Sequence, residues 1–391
     1  MRVKVLVLAF IAAVLMVYAG CDTSDGVNND DILDSKTSLA YKGHEGDVDV
    51  ENLCRVYHSI IGTRLDDCQT CHAFGDIGGR DYNACDYCHE LIVHSVGHTY
   101  RETLNSYGAD YMDAGRDKQA IVDIKGVDSD GDTFSNNEEI NDLRFPGNPA
   151  SKPGQPLAEI IVLDMADLKA MSSLKQMLLS NPHRQQFADY VVYKGVTFRE
   201  LFDSLSIDLT GATGITVSAP DGFSKSFPIN LIDLDYPDPL WYPGLDVATL
   251  GVDCGFVVYP PADLIPAGLT FGGPIPGEHR LMIAYERDGM AMTTSYMDPV
   301  ELSIEGEGPF RLIVPQTVPG APDRGLKYSP TACADGYDFD ETKDHNAGQM
   351  VRGAIVVRID PMPAGVEEFD YMHGWKYIDK KQFVVYGHGV E

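Results

Sequence analysis

Two short segments, Cys68-Gln69-Thr70-Cys71-His72 and Cys85-Asp86-Tyr87-Cys88-His89, repeat one pattern: two thiols three positions apart, followed at once by an imidazole. That spacing sets the sulfurs about one helical turn apart with the histidine beside them. Thiols so placed add across the two vinyl groups of one haem while the adjacent imidazole coordinates its iron, which is the requirement of a c-type attachment motif. A single zinc held by four thiolates is the competing chemistry, and it has no use for a histidine after each pair. Structural disulfides are the other alternative, but neighbouring Cys-x-x-Cys pairs are more often redox motifs than staples. The expected cofactors are therefore two c-type haems, with His72 and His89 as iron ligands.

The sixth position of each iron decides between electron transfer and ligand chemistry. Spare histidines nearby are His44, His58, His94 and His98. On a continuous helix, His94 lies five residues after His89 and differs from it by about 140° in direction, so it cannot cap the same haem. His58 together with His94 or His98 would complete two bis-histidine haems, low-spin and suited to electron transfer.

A third constellation is the acidic run Asp128-Ser129-Asp130-Gly131-Asp132-Thr133-Phe134-Ser135-Asn136-Asn137-Glu138-Glu139. It places oxygen donors of Asp128, Asp130, Asp132, Asn136 and Glu139 at loop positions 1, 3, 5, 9 and 12, with the Phe134 carbonyl at 7, the pattern a hard cation wants. The run resembles the calcium loops of EF-hand, dockerin and thrombospondin-type repeats. Thr133 stands where those loops carry glycine. The alternative is an ordinary solvated acidic turn.

These residues must be positioned by the rest of a chain of 391 residues, long enough for two or three folded units. Residues 1–20 read as an export signal, with Arg2 and Lys4 before the apolar run Val5 to Val17. The segment Val17-Tyr18-Ala19-Gly20-Cys21 resembles a bacterial lipobox, with Tyr18 where an aliphatic residue is usual, and the resemblance implies lipidation at Cys21. The protein is then exported and lipid-anchored in the cell envelope, at the outer membrane or cell surface. A polar tether spans 21–50. The di-haem segment follows at 51–118, then the calcium loop and a Pro/Gly-rich linker at 119–153. Short β-like runs such as Ile160 to Leu163, Gly214 to Ser218, Arg280 to Tyr285, Phe310 to Val314 and Ala354 to Ile359 predict a mixed, mostly β domain over 154–362. Helices are expected at Thr197 to Ser204 and Ala166 to Leu179, and a tail at 363–391. The fold class is thus α+β multidomain. Cys54, Cys254 and Cys333 remain after the haem and lipid assignments; pairing Cys254 with Cys333 is simplest and leaves Cys54 unexplained.

Resemblance extends this reading. The haem segment looks like the small multihaem c-type cytochromes of metal-respiring bacteria. The runs Tyr193 to Phe202, Ile215 to Phe223 and Glu307 to Pro315 resemble the sulfite-oxidase-like molybdopterin-binding fold. That family ligates molybdenum with a cysteine just after the strand matched by Ile215 to Ser218, and no cysteine stands there, so a cofactor-free domain is expected. The net charge of −29 disfavours nucleic acid and anionic lipid as partners. Electron transfer between redox partner proteins or extracellular acceptors is the expected function, with membrane contact through the lipid anchor only. A molybdopterin-dependent oxidoreductase and a structural multihaem assembly protein are the alternatives.

Overall fold

The computed structural model describes residues 48–73, 75–77, 80–82, 99–183, 187–220, 222–245, 257–298, 303–324, 337, 339–370 and 374–391. Cys21, the second motif (Cys85, Cys88, His89), His44, His94, His98, Cys254 and Cys333 lie outside them. Among the described residues no helix is long and apolar enough to cross a membrane. The fold is mixed α+β with two large sheets.

The N-terminal part holds short helices: α1 (Val48–Val56), α2 (Ser106–Asp113), α3 (Lys118–Asp123) and α4 (Asn136–Asn141), with a two-stranded ribbon of β1 (Gly75–Ile77) and β2 (Arg80–Tyr82) between the first two. Helices this short gain little from propensity and depend on caps and packing. Asn105, Asp117 and Ser135 each accept a backbone N–H in the first turn of α2, α3 and α4, and Glu138 completes a capping box with Ser135. Leu53, Tyr57, Ile60, Tyr107, Tyr111, Ile121, Ile124, Ile140 and Phe145 then form one core. Residues 119–153, expected as a separate loop and linker, thus share the core of the haem segment. The Pro/Gly stretch carries neither helix nor strand, yet Phe145 is fully buried beneath the Arg64 guanidinium, 4.3 Å from its ring centroid.

The C-terminal part begins with β3 (Ile160–Asp164), α5 (Met165–Ala170), β4 (Leu174–Ser180), β5 (Ala188–Thr197), α6 (Phe198–Ser204), β6 (Gly214–Ser218), β7 (Ser224–Pro228) and β8 (Val257–Val258). It continues through β9 (Met282–Arg287), β10 (Met290–Ala291), β11 (Tyr296–Asp298), β12 (Ser303–Glu305), β13 (Arg311–Ile313), β14 (Val356–Asp360), α7 (Trp375–Lys380) and β15 (Gln382–Gly387). One sheet runs β10-β9-β5-β4, with β13 on β9 and β8 on β5; the other runs β3-β15-β14-β6-β7, and β11 pairs with β12. Side chains alternate across a strand, and the inner strands β5 and β15 bury residues on both faces. Val191 and Tyr193 of β5 enter the central core with Val357 of β14 and Phe383 and Val385 of β15, while Tyr190 and Val192 face a second cluster. Val384 and Tyr386 of β15 turn the opposite way, into a cluster with Trp375 and Ile378 of α7.

Two expectations change. The apolar pattern over 166–179 splits into helix α5 and strand β4, because Met177 and Leu178, adjacent in sequence, enter different cores, as only a strand allows. Residues 363–391 are no tail: they contain α7, and β15 lies between β3 and β14 with Phe383, Val384 and Val385 fully buried.

The two parts are joined through Glu367, which is only 4% exposed. Its carboxylate pairs with Arg64 at 2.7 Å and with Arg144, and accepts a 2.6 Å hydrogen bond from the Ser151 hydroxyl. Val50 and Cys68 pack onto the cluster of Trp375, Tyr377 and Tyr386, so the first motif lies between two cores.

Candidate haem cleft and cation loop

The first motif folds as one tight turn. Cys68–Thr70 is a 3-10 helix capped by Asp67, whose side chain accepts the Gln69 N–H, and the N–H groups of Cys71 and His72 both bond the Cys68 carbonyl, at 3.1 and 2.8 Å. Asn105, distant in sequence, clamps this turn: its amide nitrogen reaches the carbonyls of Gln69, Thr70 and His72 at 3.1 to 3.3 Å, while its oxygen caps α2 through Gly108. A Cβ on Gly108 would lie 2.0 Å from the Cys71 carbonyl oxygen, so only glycine lets α2 approach this closely.

The result is a cleft lined by Cys68, Cys71 and His72. Val50, Leu53 and Leu104 supply apolar wall, with Tyr100, Tyr111 and Met112; Asp49 and Arg116 add charge, and Asp67 a buried carboxyl. Neither Cys68 nor Cys71 is in a disulfide. Arg116, the only cation among the described lining residues, pairs with Asp49 at 2.5 Å and lies 4.7 Å from the Tyr100 ring centroid. Burial and the neighbouring Asp370 push the Asp67 carboxyl well above the usual range.

His72 has a fixed tautomer. Its Nδ1 lies 3.2 Å from the Thr103 carbonyl and 3.0 Å from the Thr103 hydroxyl. The carbonyl can only accept, and the hydroxyl gives its own proton to the Tyr100 carbonyl at 2.6 Å, so Nδ1 carries the ring proton. The lone pair then resides on Nε2, as an iron-ligating imidazole requires. Paired thiols, an oriented imidazole and apolar walls around one cleft fit a covalently attached haem. Thr103, Asn105, Gly108 and Met112 escaped the sequence reading, since nothing near them in sequence marks them.

His58 lies elsewhere. It is exposed, its Nδ1 bonds the Cys54 carbonyl at 2.8 Å, and it does not line the cleft. His388 places Nε2 2.7 Å from the Thr210 carbonyl. Cys54 is buried and disulfide-bonded; as Cys68 and Cys71 are not, its partner is outside the described residues.

The acidic loop draws its carboxylates together. Asp128, Asp130 and Asp132 each bring an oxygen within 4.8 Å of the others. Asp128 takes the N–H groups of Gly131, Asp132 and Thr133, and Asp132 that of Phe134. Thr133 makes the sharp turn with φ +88°, a strained value for a β-branched residue. Glu139 is fully buried and neither carboxylate oxygen has a hydrogen-bond partner; Asp130 and Asp132 each leave one buried oxygen in the same condition. Burial and the three aspartates push Glu139 up to about 9. Buried carboxylates without donors fit a site built for a cation. Asn136 instead braces the loop: its oxygen accepts from Ser129 N–H at 3.3 Å and its nitrogen donates to the Ile124 carbonyl at 2.8 Å. The Ser129 hydroxyl donates to Asp110 of α2 at 2.7 Å, tying the loop to the helix that walls the cleft. No protein-family model, curated protein or solved structure matches this chain significantly.

Proposed function

We propose that the protein is an exported, lipid-anchored c-type cytochrome that moves electrons in the cell envelope, with calcium held at 128–139 as a structural ion. The observation that carries the reading is the convergence of Cys68, Cys71 and a tautomer-fixed His72 on one apolar-walled cleft. A haem bound there supplies one-electron chemistry at its iron. The thiols of Cys68 and Cys71 tether it through thioethers, His72 Nε2 ligates the iron, and Arg116 offers a cation to the propionates. The second motif, Cys85, Cys88 and His89, holds the other haem. The C-terminal domain packs against Cys68 and serves to cover the attachment turn and to control which redox partner reaches it.

Metal analysis with visible spectroscopy, on protein matured in a host with a c-type haem assembly system, tests this. Two irons per chain, a sharp reduced α band and no molybdenum are expected. Zinc without haem would overturn the reading, and molybdenum beside iron would favour an oxidoreductase.

A further inference from the structure

We infer that the Met112 thioether is the sixth ligand of the iron held by His72, so that the first haem is histidine–methionine coordinated. This rests on the haem reading above and departs from the bis-histidine ligation expected of both haems. Met112 and Gly108 are four residues apart on α2 and share a face, and Gly108 is pressed against the Cys71 carbonyl. That face is therefore turned to the motif, and the Met112 side chain lines the same cleft as His72.

The competing oxygen donors among the described lining residues are engaged. Asp49 accepts from the Arg116 guanidinium and from the Tyr111 hydroxyl, Tyr111 also accepts from Asn52, and the Tyr100 hydroxyl accepts from Arg116. Asp67 caps the motif turn. Among the described lining residues the Met112 thioether remains: it is soft, flexible and uncharged, and suits an apolar iron site. Methionine in the axial position raises the reduction potential relative to a second histidine, so the first haem becomes the higher-potential centre of the pair.

The test uses the full chain with both haems attached, followed by ferric absorption, magnetic circular dichroism and potentiometry. The wild type is expected to show the far-red charge-transfer band of an iron–thioether bond. Met112→Ala should lose it and lower the potential of one haem, and Met112→His should keep a six-coordinate low-spin iron without the band. Haem attached at Cys68 and Cys71 with no such band, or a band that survives Met112→Ala, overturns the assignment while the cytochrome reading stands. A chain with no haem on those cysteines overturns both.

Discussion

The α carbon of Gly108 lies so close to the Cys71 carbonyl that a Cβ there would sit 2.0 Å from the oxygen. The helix that walls the cleft is thereby seated on the Cys68–His72 turn. Gly108→Ala forces backbone apart and is expected to cost about 2–3 kcal/mol, the scale of overpacking a tight core, and to impair haem attachment at the first motif. Gly126→Ala, with nothing within 4 Å of its added carbon, is the control and should change stability by less than about 0.5 kcal/mol. Denaturant melts of both variants check this.

Thr133 carries the positive φ that a glycine would adopt at no steric cost. Thr133→Gly should stabilise the protein by about 1 kcal/mol, the scale of left-handed strain, and tighten calcium binding. Calorimetric titration of both forms reads the difference; weaker binding in the variant would show that the turn is not strained.

Removal of calcium should leave a protein whose stability falls as pH rises. Folded Glu139 holds its proton up to about 9, whereas in the unfolded chain it releases it near 4.5. Between those values the folded state binds more protons, so the stability gained at low pH is lost as pH climbs through about 9. Calcium displaces the proton and raises Tm at neutral pH. Glu139→Gln should abolish the calcium response and flatten the pH slope of the calcium-free protein. A wild-type Tm indifferent to chelator at pH 8 would contradict the site.

The haem reading also constrains Cys54. If Cys21 is lipidated and the second motif holds haem, the disulfide partner of Cys54 is Cys254 or Cys333, and the expected Cys254–Cys333 bond does not form. Peptide mapping under non-reducing conditions decides. A bond from Cys54 to Cys85 or Cys88 would remove the second haem from the account.

Local signals were legible and distant ones were not. The Cys-x-x-Cys-His turn and the loop carboxylates each sit within one short run, so spacing alone exposes them. The strand at Gly214–Ser218 has the same ends in sequence and structure because its alternation is uninterrupted. Thr103, which fixes the tautomer of His72, is separated from it by 31 positions, and Asn105 reaches the turn across 33 to 36 positions. One methionine among 13 carries no local mark of its role. The run Leu174 to Leu179 is apolar enough for helix or strand; its pairing with β5 settles it as strand. The tether, likewise, yields to α1 at Val48, where Asp49 and Glu51 favour a helix start.

The central claim is covalent haem on Cys68 and Cys71, and intact-mass analysis of the denatured chain tests it most directly. After maturation in a host with a c-type haem assembly system, the wild type is predicted to retain the mass of two haems, and Cys68→Ala/Cys71→Ala that of one, held by the second motif. A wild-type chain with no haem adduct, or the same adduct mass in the double variant, would contradict it.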